Sequence, residues 1–248
     1  MAPVPTLEQR LAARTPSGAP VMFQRWENLL FLHWRYDPDV LAARLPPGLH
    51  LDLHDGAAYA GIVPFFMSGV RPRFLPCFPG LSRFQELNLR TYVHDDDGIP
   101  GVWFFSLDAA SRVAVAVARR LFHLPYRHAG MSARIDGQVD YRCAIPGGPD
   151  LHYRYALPAD GPEAAPGSLE FFLLERYHLY AHNPATGALY RGQVHHAPYR
   201  FSPATVDHYD AALFDSNDLA PPDAPPCHLV AAPGFPVTIF PLRRITPK

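Results

Sequence analysis

Polar and apolar residues alternate with a period of two through much of the chain, the pattern of strands with one buried face. It is clearest between residues 84 and 93. Phe84, Glu86, Asn88, Arg90 and Tyr92 fall on one face, and Gln85, Leu87, Leu89, Thr91 and Val93 on the other. The same reading predicts strands over residues 26–36, 101–108, 129–136, 137–143, 151–157, 168–182, 187–201 and 235–242. Residues 49–67 alternate on both sides of Asp55-Gly56, a hairpin signature, and Asp136-Gly137 predicts a second tight turn. Residues 71–80 and 219–229 are proline-rich and predict loops, as does 159–167.

Helical spacing is rarer. Residues 37–45 predict a short helix entered at Pro38 and stopped by Pro46, Pro47 and Gly48. Residues 110–124 predict the one longer helix, with Val113, Val117 and Leu121 on one stripe, Asp108 as N-cap and Pro125 beyond the end. Many short strands and one central helix predict a β-dominated α+β fold. The expected form is a closed or strongly curved antiparallel β-barrel with short peripheral helices, large enough to hold a small ligand. Residues 1–20 are expected to form an N-terminal arm and 21–248 a single domain.

Composition narrows the function. The net charge is −1 and the cations are scattered, so no nucleic-acid or anionic-membrane footprint exists. No apolar run approaches the ~18 residues of a membrane span, and residues 1–20 carry Glu8, Arg10 and Arg14 where a leader would be apolar. Three widely spaced cysteines, Cys77, Cys143 and Cys227, give no disulfide framework. A cytoplasmic location is expected. The chain has a single lysine, Lys248, so an internal imine-forming amine is missing.

The polar face of residues 84–92 holds the most chemistry. A carboxylate, an amide and a guanidinium at Glu86, Asn88 and Arg90, flanked by Phe84 and Tyr92, can form a pocket wall or an exposed face with a Glu–Arg pair. Burial apart from Arg90 would raise the Glu86 pKa, and pairing would lower it. On a strand over 168–182, Glu175 and Tyr177 share one face and Arg176, His178 and Tyr180 the other; parity alone does not choose the inner one. His178 and His182 lie ~13 Å apart if extended, too far to share an ion, and a site from His33, His178 and His195 needs distant strands to meet. No motif for a metal, phosphate loop or other cofactor is expected.

The runs FQELNLRTYV, GIPGVWFFSLDA, ARRLFHLPYRHAGM and LEFFLLERYHLYA, with HWRYDPDVLAARLPPGLHLDLHDGAAYAGIVPFFMSGVRP upstream, resemble the YqjF-like family from about Gln24 to Ile245. That family resembles the acetoacetate decarboxylase superfamily. The resemblance implies a closed antiparallel barrel around a buried pocket, and a homo-oligomer. It places Glu86 at the pocket glutamate and Pro125 at the proline after the central helix. Tyr126 and Arg127 then stand where two lysines would be, and Arg25 lies near an expected first-strand arginine. The implied protein binds a small molecule, with Glu86, Arg90 and Tyr126 as catalytic candidates and Asn88, Tyr92, Phe84 and Glu175 as binding candidates. Its chemistry would be non-covalent acid–base work on a carbonyl or enol, of lyase or isomerase type, without a Schiff base. The alternatives are a ligand sensor or carrier without turnover and, further off, a structural protein with a filled interior.

Overall fold

A computed structural model describes residues 2–78 and 82–248. Pro79 and Gly80, the end of the expected 71–80 loop, lie outside the described residues. In chain order the elements are α1 (Leu7–Ala12), β1 (Met22–Tyr36), α2 (Pro38–Ala42), β2 (Leu49–Leu51), β3 (Ala58–Pro72), β4 (Phe84–Asp95) and β5 (Pro100–Ala109). Then come α3 (Arg112–Leu121), β6 (Tyr126–His128), β7 (Gly130–Ile135), β8 (Gln138–Ala144), β9 (Asp150–Ala156) and α4 (Leu169–Leu174). The last are β10 (His178–Asn183), β11 (Ala188–His195), β12 (Ser202–Pro203), β13 (Val206–His208), β14 (His228–Ile239) and β15 (Arg243–Ile245).

These strands do not make the expected antiparallel barrel. The larger sheet has eleven strands and follows an open path, β12-β14-β1-β3-β4-β5-β10-β11-β15, with β2 on β4 and β6 on β5. It is mixed, because β10 and β6 both run parallel to β5. The sheet curls until β11 meets β14, but only at Val194↔Ile239 and His195↔Thr238. A contact of two residue pairs is a seam between curled arms, not a continuous closing ladder. Strands β13, β9, β8 and β7 form a separate four-stranded sheet.

The second sheet explains the apolar face of β4. Leu87 and Leu89 pack against Val139, Tyr141, Cys143, Tyr153 and Tyr155 of β8 and β9, so the second sheet covers this face. Both sheets thus offer alternating faces to one core, as in face-to-face sheet packing. The other side of β4 faces the hollow of the curled sheet.

Three local expectations are corrected. The Asp55-Gly56 turn forms, with φ of 50° and 76°, yet its flanks bridge only at His54↔Ala57. β2 pairs instead with β4, and β3 takes β1 and β4 as neighbours. The cap of α3 is Ser111, whose side chain accepts from the Ala114 amide. Residues 168–182 are not one strand: Ser168 caps α4, and the extended backbone resumes only at His178. A serine ahead of a glutamate-bearing first turn is a helix start that strand alternation conceals. Among the described residues, no helix is long and apolar enough to cross a membrane.

Candidate functional site

The hollow of the sheet contains a cavity of about 400 Å³ with walls from β1, β3, β4, β5, β10 and β11. α3 contributes Val113, Ala114, Val117 and Ala118 to its lining. Phe84 begins β4 and lines the cavity with Leu75 and Phe78, both half-exposed; Glu86 follows, and Arg90 lies four positions further along the strand.

Glu86 is buried at 3% exposure and accepts a 2.7 Å hydrogen bond from the Tyr126 hydroxyl. Burial pushes its carboxyl up to about 7, with Tyr126 and Asn88 favouring the charged form and Asp108 opposing it. The Tyr126 phenol is itself held well above its ordinary range, by burial and by the Glu86 carboxylate. Tyr126 reaches this place because the chain turns out of α3 through His123, at φ 50°, and β6 then lies alongside β5 with Leu107↔Tyr126. Near neutral pH the pair holds one proton more loosely than a phenol and more tightly than an exposed carboxyl.

Two guanidinium groups share the cavity wall. Arg90 donates through Nη2 to the Tyr92 hydroxyl and the Leu173 carbonyl, each at 3.3 Å. Arg176 donates to Asp52 Oδ2 and to the Phe172 carbonyl, both at 2.6 Å, and its guanidinium lies 4.2 Å from the Phe172 ring centre. Arg90 Nε and Arg176 Nη2 are buried and find no acceptor among the described residues. Those two atoms are closed off from the cavity, but the side chains that carry them give its wall a positive charge that suits an anionic ligand. Glu86 and Arg90 do not pair; each carries its own environment.

Behind Arg90 runs a buried file. The Tyr92 hydroxyl meets His33 Nε2 at 2.7 Å, and His33 Nδ1 meets His228 Nδ1 at 2.9 Å. Arg90 can only donate, so the Tyr92 oxygen accepts from it, while the direction of the Tyr92–His33 bond follows the His33 tautomer. Both imidazoles are kept neutral: burial, then each other's proximity and Arg90, drives His33 well down, and burial takes His228 to about 4. Gly61 opposite His33 leaves the ring its space, since a Cβ there would sit 2.6 Å from His33 Cδ2.

The expected site residues therefore separate. Phe84, Glu86, Arg90 and Tyr126 line the cavity. Asn88 and Tyr92 are buried beside it, one supporting Glu86 and the other Arg90. Glu175 faces away: its carboxylate accepts from Arg14, the Tyr177 hydroxyl and the Tyr199 amide, and so secures the arm carrying α1. Arg127 is tied by two 2.8 Å bonds to the fully buried Asp108, which is thus an ion-pair partner and not the helix cap. Arg25 pairs with Glu27 at the surface, and Lys248 is exposed and pairs with Asp97.

Strand parity alone missed Arg176, His178 and Tyr199, which also line the cavity. The end of α4 at Leu174 breaks the alternation and turns Arg176 inward while Glu175 turns out. His178 also borders a second cavity of about 300 Å³ under Ser17, Gly18 and Ala19. Among the described residues, no three His, Cys, Asp or Glu side chains are grouped to hold a metal ion.

A curled mixed sheet around such a cavity is the fold of the acetoacetate decarboxylase-like proteins. The enduracididine biosynthesis enzyme MppR, in complex with pyruvate, is 14% identical with a TM-score of 0.63, covering 94% of this chain and 93% of its own. An acetoacetate decarboxylase-like enzyme from Sphingomonas wittichii RW1 is 15% identical with a TM-score of 0.62, over 94% and 97%. Acetoacetate decarboxylase from Legionella pneumophila is 13% identical with a TM-score of 0.59, over 94% and 92%. Within that fold the sequence profile described as "Uncharacterized conserved protein" matches residues 23–236. The protein YqjF of Bacillus subtilis (strain 168) is 37% identical over 232 residues, 92% of this chain and 94% of its own. The chain belongs to this YqjF-like family.

Proposed function

We propose that the cavity binds a small carboxylate that also carries a carbonyl or enol, and that Glu86 and Tyr126 move a proton on it without a covalent intermediate. The observation that carries this reading is a buried carboxyl, poised at about 7, that shares one cavity wall with two guanidinium groups and the Tyr126 phenol. A general acid or base works best with a pKa near the operating pH. In this reading Arg90 and Arg176 hold the carboxylate. Glu86 takes a proton from the carbon next to the carbonyl and returns one to the enol, with Tyr126 steadying whichever form is charged. Lys248 has no part in it, being exposed and paired with Asp97. A solved neighbour of the same fold was crystallised with pyruvate, and another form of it with a condensation product of pyruvate and imidazole 4-carboxaldehyde. Those ligands have the carboxylate-plus-carbonyl chemistry that this wall suits.

The test is hydrogen exchange at the pyruvate methyl group in D₂O, followed by NMR. The wild-type chain is expected to accelerate exchange, and Glu86→Gln to lower that acceleration at least about 100-fold. Borohydride treatment with pyruvate present should leave the chain unmodified. A borohydride adduct, or exchange that survives Glu86→Gln, overturns the proposal. Saturable binding of pyruvate without exchange would assign the protein to ligand carriage or sensing.

A further inference from the structure

The cavity has more length and more apolar wall than a three-carbon acid uses. From the Arg90 end to Phe84 is six strand positions, ~20 Å of backbone. The polar groups that line it are buried, Glu86 at 3%, Arg90 at 8% and Arg176 at 5%. Outward from Glu86 the lining changes to Phe84, Met67, Val113, Val117, Leu75 and Phe78. On the α3 stripe Val113 is 52% and Val117 39% accessible, although both line the cavity. Beside them Ala114 and Ala118, one turn apart, leave space under the helix where larger side chains would fill it. An apolar mouth on a cavity that two guanidinium groups also line fits one shape of ligand, a charged head with an apolar tail.

We infer that the natural ligand is an amphipathic carboxylate, an acyl or aryl-alkyl chain of medium length whose acid group docks at Arg90 and Arg176 and whose tail leaves past α3. This deepens the proposed function and rests on the carboxylate end of that reading. α3 then acts as the wall that sets tail length, and Ala114 and Ala118 are the residues that determine it.

The experiment is calorimetric titration of the full chain with straight-chain carboxylates from butanoate to dodecanoate, and with the matching primary alcohols. Each added methylene that enters the cavity should tighten binding about fourfold, at one ligand per chain, until the tail reaches solvent and the series levels off. Ala118→Phe should move that levelling-off point at least two methylenes shorter while butanoate binding stays within about twofold. Ala114→Leu should do the same more mildly, and it serves if the first variant folds poorly. Affinity that does not depend on chain length overturns the amphipathic ligand, as does a levelling-off point that neither variant moves. The head-group reading fails separately: it is lost if alcohols bind as tightly as acids, or if Arg90→Met leaves the acid preference intact.

Discussion

The Tyr126 hydroxyl donates to Glu86 Oε2 over 2.7 Å, joining residues forty positions apart inside the hollow of the sheet. The proton of this pair has a distinct signature in stability. A carboxyl raised from 4.5 to about 7 on folding makes the native chain bind more protons across that interval. Stability contributed at this site therefore falls as pH rises from about 4.5 to 7, then holds level. The loss amounts to ~3 kcal/mol at ~1.4 per unit. Glu86→Gln is expected to remove it. The unfolding free energies of wild type and variant, subtracted at each pH, should show that slope, and a flat difference would mean a carboxyl ionised throughout.

Buried imidazoles act in the opposite sense. Burial first, then Arg191 for His178, takes that ring down to about 4, and burial does the same to His196 and His228. Their stabilising neutrality is present above the ordinary imidazole range and is lost as pH falls toward 4. The whole chain should thus be less stable at pH 4.5 than at pH 7 despite Glu86. Thermal melts at the two values check this, and a Tm that rises on acidification would refute it.

Tyr126→Phe isolates the hydrogen bond. The phenol favours the charged carboxylate, so its removal should raise the Glu86 pKa further, by about one to two units for a bond of ~1.5–3 kcal/mol. Carboxyl-labelled glutamate followed by ¹³C NMR reads the shift directly. A pKa that falls instead would mean that another donor had replaced the phenol.

The two cavity arginines should differ in what they hold. Arg176 pairs with the fully buried Asp52, whose own carboxyl is raised by burial but drawn below its usual range by Arg176 and Arg10. Arg176→Met leaves that carboxylate to Arg10 alone and should cost about 2–4 kcal/mol in urea unfolding. Among the described residues Arg90 bonds only neutral groups, so Arg90→Met should cost about 1 kcal/mol or less while abolishing carboxylate binding. Equal costs would make Arg90 a structural residue.

Gly61 and His33 form a pair of a different kind. A methyl group at 61 meets the His33 ring at 2.6 Å, so Gly61→Ala should destabilise by about 1–3 kcal/mol. In a His33→Ala background the same change should cost much less, and the coupling in a double-mutant cycle measures the difference. Additive losses would show that the ring yields freely.

Much of this was legible from the chain alone, and the failures have physical causes. The alternation at 84–93 identified the strand, its two faces and the grouping of Glu86 with Arg90, because a strand's period holds whatever packs on it. It did not say what covers the odd face, where a second sheet buries Leu87 and Leu89. Residues 169–174 form a helix where a strand was expected; beyond it alternation grouped Glu175 with Tyr177 and Arg176 with His178, but did not say that the Arg176 face lines the cavity. Asp108 was read as the cap of the longer helix, but Ser111 holds that position and Asp108 pairs with Arg127.

By itself the sequence determined the strand faces, the turn positions, the missing internal amine and the carboxylate on β4, all of them consequences of local geometry or composition. Only the tertiary structure decided how the strands are ordered, that the sheet stays an open path, and that Tyr126 meets Glu86 while Arg90 does not. It also decided which arginine joins Arg90 at the cavity. Those outcomes depend on contacts between segments far apart in the chain, and on burial, which sets the charge of a buried group and which no local pattern records.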